Sequence, residues 1–321
     1  MTPAFHLDRV SAPGRICLFG EHQDYLRLPV IAMAISLRIQ IEGKSRPDSS
    51  AHLELPDIRS SLELELDGNL KYMVERDYFR SAVNVLRREG FTFGTGVDCI
   101  VRGNIPINAG TSSSSALVVS WISLLALISD QQKKLNTADA THFAHLAEVV
   151  EFSEPGGMMD HCTAAYGGTL FISFEPNVSV EPLQSPLKTF VLGDSLKSKD
   201  TKGILGRVRN RVVSLSQSLA KQFPGFSLFK TPLGKIGDYS GKLSDEERDL
   251  LVGTVRNRDM TRDARSLSLS PSFDHAQFGT LLNEHQSILR DVLNISTKKI
   301  DRMLDAAMNS NFGHPGQVRP S

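Results

Sequence analysis

Cysteine is scarce, neither sign of charge predominates, and no apolar run is long enough to cross a bilayer. Only Cys17, Cys99 and Cys162 occur in 321 residues. An odd count without C-x-x-C spacing argues against a disulfide framework and a thiolate zinc site, and it suits a reducing cytoplasm. Thirty-six Lys and Arg balance thirty-six Asp and Glu, which removes the electrostatic footprint of a nucleic-acid binder. The one local basic stretch, KSKDTKGILGRVRNR at 197–211, is interrupted by Asp200 and reads as a solvated loop or helix start. The longest apolar run, Ala116 to Ile128, is broken by Ser120 and Ser123. It falls short of the roughly 20 residues a membrane helix needs. The opening MTPAFHLDRV lacks the charged flank and apolar core of a signal peptide. A cytoplasmic protein is expected, with no nucleic-acid or membrane partner.

What is present is ordinary globular composition, 40% hydrophobic and 22% charged, over a length that suits two domains or one large α/β unit. Strands are predicted at 14–20, from Pro29 onward with alternation over 36–41, at 52–55, 61–66 and 97–102. Apolar spacing predicts helices at 72–89, 113–129 and 137–152. A strand pair is expected to flank Gly167-Gly168. Pro176, Pro182 and Pro186 suggest a domain connection near 185. Beyond it the chain reads as helical over 204–221, 245–256, 276–291 and 297–309, with an unstructured end.

Three segments carry chemistry. In GNIPINAGTSSSSAL (103–117) a strand runs through a small-residue loop into an apolar helix. The first amides of a helix lack intrahelical partners and sit at its electropositive end, so a phosphate can approach them. The hydroxyls of Ser112 to Ser115 either cap those amides or reach a magnesium ion. No Walker A pattern occurs. In GEHQDY (20–25) ionisable groups and a tyrosine follow a buried strand; they form either a polar turn or a cluster of acceptors for sugar hydroxyls. In EPGGMMDHCTAAYGG (154–168) Asp160 sits among small residues. It is either a helix cap or a carboxylate able to accept or align a hydroxyl proton. Glu148, twelve residues earlier, is either exposed or directed at the same cavity to hold magnesium. Arg15 either makes a surface ion pair or faces a phosphoryl group or Asp160. His142 and His145 have the spacing of a metal pair, but no third ligand is identifiable. Met158 and Met159 read as packing residues.

Together the three segments resemble the GHMP kinase superfamily. APGRICLFGEHQDY (12–25) is most similar to its galactokinase signature, PINAGTSSSSAL (106–117) to its phosphate loop, and GGMMDH (156–161) to its catalytic-aspartate segment. Weaker similarity runs through 193–205 and 281–296. The resemblance implies an α/β (α+β) fold of two domains, with a GHMP N-terminal domain (1–185) of ribosomal-protein-S5-like architecture and a ferredoxin-like C-terminal domain (186–321). It places the active site in the cleft between them. It makes Asp160 the catalytic base and Arg15 its electrostatic partner. Pro106, Gly110, Thr111, Ser112, Ser113, Ser114 and Ser115 would hold the ATP phosphates, and Ser114 and Glu148 would hold Mg2+. Glu21, His22, Asp24 and Tyr25 would bind the sugar, with ATP and a monosaccharide as small-molecule partners of a monomer.

Several positions depart from the family pattern. Cys17 stands where Asn is usual, Gln23 where Thr is usual, and His161 where Gln is common. Arg27-Leu28-Pro29 replaces an Asn/Gly-rich turn, and Arg27 is either simply exposed or paired with a uronic acid carboxylate. After Met308 the family's G-x-K-x-x-G-x-G-x-G loop gives way to NSNFGHPGQVRPS. The resemblance therefore implies a truncated second domain, reduced stability and impaired catalysis. The expected activity is a galactokinase-type phosphorylation of a monosaccharide hydroxyl. The alternatives are a mevalonate-type kinase and a sugar- and nucleotide-sensing protein without turnover.

Overall fold

The computed structural model describes residues 7–187, 189–196 and 201–309. Two compact units are interleaved along the chain. One takes the described residues up to Arg15 together with Ala34–Gly167; the other takes Ile16–Met33 and the described residues from Gly168 onward. Strands β1 (Leu7–Phe19) and β2 (Val30–Arg46) pair with one another, and each runs through both units.

In the first unit β2 pairs antiparallel with β5 (Gly96–Gly103), with Ile41 opposite Val101. Strand β5 lies parallel to β3 (Ser50–Leu55), which forms a hairpin with β4 (Ser60–Glu65). The strict alternation read at 61–66 is a two-faced strand, with Leu64 and Leu66 buried and Glu63 and Glu65 exposed. Helices α1 (Tyr78–Arg88), α2 (Ser113–Ile128), α3 (Thr137–His145) and α4 (Met159–Tyr166) pack against one another. Helix α2 is apolar almost all round, and Trp121, Ile122, Leu124 and Leu125 are fully buried in one core with Leu53, Val97 and Leu86. A helix apolar on every face belongs at the centre of a domain. The Trp121 indole N–H still finds an acceptor, the Phe79 carbonyl at 3.1 Å.

Three expectations for this unit are corrected. The helix predicted from 72 begins at 78, because Arg76 adopts a left-handed φ of 58° and Asp77 caps the first turn. Tyr72 instead packs its ring on Phe152. The helix predicted over 137–152 is α-helical only to His145, and residues Leu146–Val150 widen into a π turn. Gly167-Gly168 is preceded by helix α4, too short for its periodicity to show, and only the following segment is a strand, β6 (Thr169–Ser173).

In the second unit β6 pairs with β2, with Ala32 opposite Leu170, and with β7 (Ser179–Leu183). The proline cluster therefore contains a strand. Pro182 is tolerated because β7 has β6 as its one partner, and an edge strand can lack an amide donor. Helices α5 (Thr201–Gln222), α6 (Asp245–Leu269), α7 (His275–Asp291) and α8 (Lys298–Met308) follow, with an unforeseen 3-10 segment at Leu233–Lys242. Helix α6 runs well past the expected end at 256. Its polar Asn257, Arg258 and Thr261 broke the apolar pattern yet are buried. The Arg258 guanidinium is matched inside by the Leu228 carbonyl and Asp259. Val212, Leu219, Leu251, Val255 and Leu289 form the core here, with Leu28 inserted from the 20–29 segment. Of the stretch expected as a solvated loop or helix start at 197–211, residues 201–211 belong to α5 and 197–200 lie outside the described residues, as does the expected unstructured end at 311–321. Among the described residues no helix is long and apolar enough to cross a membrane.

Candidate active site

In the first unit β5 delivers the chain into a loop whose backbone is built for close approach. Asn108, Gly110 and Ser112 all adopt left-handed φ values, of 59°, 77° and 59°. Ser112 is the N-cap of α2, but its buried side chain makes no capping bond. Thr111, Ser112 and Ser115 are buried, Pro106, Ser113 and Ser114 half-buried. The Thr111 hydroxyl turns back to the Pro106 carbonyl at 3.5 Å. The helix start therefore has no side-chain cap on its first amides, which suits an anion better than a serine cap does.

Arg15 ties this loop to Asp160. Its backbone N–H donates to the Thr111 carbonyl at 3.1 Å, its Nη1 to the Gly110 carbonyl at 2.6 Å, and its Nε to Asp160 Oδ1 at 2.7 Å. Gly14 permits the approach, since a Cβ there would meet the Thr111 oxygen at 2.8 Å. The Arg15 side chain is 6% exposed and that of Asp160 31%. Asp160 lies in the first turn of α4, where Met158 is the N-cap, so it is not the cap of that helix. Burial pushes the Asp160 carboxyl up, but the Arg15 charge and hydrogen bond, with smaller pulls from His161 and Ser112, hold it below the usual carboxylate range. At neutral pH it is an ionised acceptor.

Glu148 sits on the π turn and is buried rather than exposed. Its Oε2 accepts from His161 Nε2 at 2.8 Å. The turn itself is braced by α1, whose Ser81 hydroxyl donates to the Ala147 carbonyl at 2.8 Å. The His161 contact was not foreseen as part of the site; the one sequence signal for it was an imidazole directly after Asp160. The His145 ring stacks edge-on against His161 at 5.4 Å. Burial, aided by the neighbouring His161 and His142, brings His145 down to about 4. Among the described residues no group of three His, Cys, Asp or Glu side chains could hold a metal.

The segment 20–25 belongs to the second unit. Gly20 turns the chain at φ 82°, where a Cβ would meet the Pro29 oxygen at 2.7 Å. Glu21, His22 and Gln23 are buried, Asp24 and Tyr25 half-buried. His22 Nδ1 lies 3.1 Å from the Tyr25 hydroxyl, and Asp24 opens a 3-10 turn that packs near α5. Burial, with the Asp24 and Glu21 charges, pushes the Tyr25 phenol up, while Arg209 pulls the other way. Tyr25 therefore stays a hydroxyl donor. Arg27 does not await a carboxylate. Its guanidinium donates to Glu175 Oε2 at 2.9 Å and to the Phe174 and Pro176 carbonyls at 2.7 and 2.8 Å, clamping the β6–β7 turn.

Residues 77–168 match the family model of the GHMP kinases N terminal domain, and residues 8–44 match the galactokinase galactose-binding signature. A mevalonate kinase of Thermococcus onnurineus is 25% identical over 306 residues, covering 92% of this chain and 81% of its own length. A galactokinase of Thermococcus kodakarensis is 34% identical over 160 residues, half of this chain and 44% of its own. The fold is that of the Lactococcus lactis galactokinase complexed with galactose, with a TM-score of 0.79 at 18% identity over 95% of this chain and 80% of that one. With a GHMP kinase N-terminal domain, a galactokinase signature and galactokinase and mevalonate kinase relatives, the chain is similar to galactokinase-like GHMP kinases.

Proposed function

We propose that this chain transfers the γ-phosphoryl group of ATP to a hydroxyl of a galactose-like monosaccharide, at the anomeric position. The observation that carries the reading is the Arg15 bridge, one guanidinium bonded to both the Gly110 carbonyl of the serine loop and Asp160. Phosphoryl transfer leaves little covalent chemistry to the protein and depends on positioning and electrostatics. Asp160, held ionised, accepts a hydrogen bond from the acceptor hydroxyl, aims its lone pair at phosphorus and takes the proton as the new bond forms. Its low basicity suits late transfer of that proton in a loose transition state rather than prior deprotonation. Arg15 offsets the charge on the equatorial oxygens, and the amides of Gly110 to Ser115 hold the phosphates.

The hard oxygens of Glu148 and Ser114 fit magnesium, which takes one or two protein oxygens and completes its shell with phosphates and water. When bound, the ion supplies positive charge to the phosphates. Glu21, His22, Asp24 and Tyr25 bind sugar hydroxyls; two carboxylates, an imidazole and a phenol supply the acceptors and donors a polyol requires. The match to the galactose-binding signature supports a sugar as acceptor. A second reading, mevalonate, is favoured by the mevalonate kinase similar over 92% of the chain.

An ADP-release assay across hexoses, uronic acids and mevalonate, with ATP and magnesium, tests these readings. Turnover with a monosaccharide is the expected outcome. Turnover with mevalonate alone selects the second reading, and ligand-dependent melting shifts without turnover overturn both in favour of a sensor.

A further inference from the structure

The His161–Glu148 hydrogen bond is a contact between buried polar groups of the first unit that has no part in the mechanism above. Both side chains are nearly out of solvent, at 2% and 11% exposure. A carboxylate only accepts, so His161 Nε2 carries the hydrogen. The other ring nitrogen, Nδ1, is buried and has no partner among the described residues. The whole hydrogen-bonding capacity this imidazole uses is thus spent on Glu148. Two neighbours limit its movement. The His145 ring stands edge-on at 5.4 Å and 87°, and the α4 backbone that carries it is the one that carries Asp160.

Glu148 needs such a partner. It sits on a π turn, a departure from regular helix that recurs at functional sites. The Ser81–Ala147 bond fixes the backbone of that turn, not the carboxylate. Tyr78 also lies within reach of its charge, and burial with the Glu148 charge pushes that phenol up. The contact to His161 fixes Oε2 and leaves Oε1 for a cation.

We infer that His161 is a positioning residue, which presents Glu148 to the divalent cation of the nucleotide through its Nε2–H. The inference rests on the proposed metal role of Glu148. A partner that orients a metal-binding carboxylate typically changes metal affinity by about 10- to 100-fold when removed. An amide at this position can supply the same hydrogen, so His161→Gln is the conservative variant.

The experiment is a titration of Mn2+ into the full chain with saturating ADP, followed by electron paramagnetic resonance, beside thermal melts of every variant. His161→Leu is expected to weaken Mn2+ binding by about tenfold or more with ADP affinity in the absence of metal unchanged. His161→Gln is expected to restore binding close to that of the parent chain. Should the leucine variant fail to fold, His161→Asn, a shorter amide, carries the same expectation of loss. A folded His161→Leu or His161→Asn chain that binds Mn2+ as the parent does overturns the inference, as does a glutamine variant as weak as the leucine one. Glu148→Gln separates the two levels. If it weakens Mn2+ binding while His161→Leu does not, only the positioning role fails. If it leaves Mn2+ binding intact, the metal role of Glu148 fails and this inference with it.

Discussion

Removing the guanidinium of Arg15 while keeping the length of its side chain, as Arg15→Met does, isolates the central bridge of the first unit. The substitution deletes the 2.7 Å bond to Asp160 and the 2.6 Å bond to the Gly110 carbonyl, but keeps the backbone bond to Thr111. Breaking a fully buried ion pair from one side costs about 3–5 kcal/mol. Asp160 is 31% exposed, so water rehydrates part of the orphaned charge and about 2–3 kcal/mol is the expected cost near neutral pH. For a unit of this size that is a fall in Tm of roughly 5–10 °C.

The pH dependence is the sharper part. In the parent chain the Asp160 carboxyl is depressed, so its contribution is present above the ordinary carboxylate pKa and is lost as pH falls through the lower folded value. In the variant burial is opposed only by the smaller pulls of His161 and Ser112, so the same carboxyl is expected to rise, to destabilise the fold at neutral pH and to cease doing so once protonated. The Tm gap between the two chains should therefore be widest near pH 7. It should narrow as pH falls through the variant's raised value, and narrow further below about pH 4. Thermal melts of both chains across that range, with Arg15→Lys as a charge-retaining control, measure it. A gap that stays constant with pH refutes the argument, because Arg15 would then stabilise the chain without acting through the Asp160 carboxylate.

Other outcomes follow from the same geometry. Asp160→Asn keeps the shape of the site and removes its proton acceptor. ADP release should fall by about 10²–10⁴-fold while ATP affinity, read by titration calorimetry, changes little; undiminished turnover would remove the assigned role. Gly14→Ala puts a Cβ 2.8 Å from the Thr111 oxygen and 3.2 Å from Ile105, so the serine loop must shift. A stability loss of about 1–3 kcal/mol and weaker nucleotide binding are expected, measured by denaturant titration and calorimetry, and neither appearing would mean that the approach is not tight. Arg27→Ala should cost at most about 1 kcal/mol at its exposed position and leave any ratio of hexose to uronic acid turnover unchanged. A selective loss of uronic acid turnover would show that the guanidinium leaves the β6–β7 turn for substrate.

What the sequence made legible, and what it hid, separates along physical lines. The α2 core, the loop before it and the alternating strand at 60–65 were readable because each is specified locally, by an apolar run, by small residues at a helix start, or by period-two burial. Features that depend on partners distant in the chain were not. Asn257, Arg258 and Thr261 look like the end of a helix until the Leu228 carbonyl and Asp259 are seen to absorb the buried arginine. Arg27 reads as a candidate anion receptor until the β6–β7 turn, some 150 residues on, supplies three acceptors.

The site divides in the same way. Asp160 and the serines could be picked out from their immediate neighbours, whereas the state of Asp160 is set by Arg15, which is 145 residues away. The widened turn that carries Glu148 has no local cause in LAEVV, a segment that would continue an α-helix by propensity. Glu151 N–H bonds to the Leu146 carbonyl, five residues back, which leaves the Ala147 carbonyl to Ser81 of another helix. Helix α1 thus holds the π turn from outside, and α4 holds the carboxylate it presents. The turn is thus held by two separate elements, and its carboxylate is bonded to the residue that follows Asp160, an arrangement that suits the cation role proposed for Glu148.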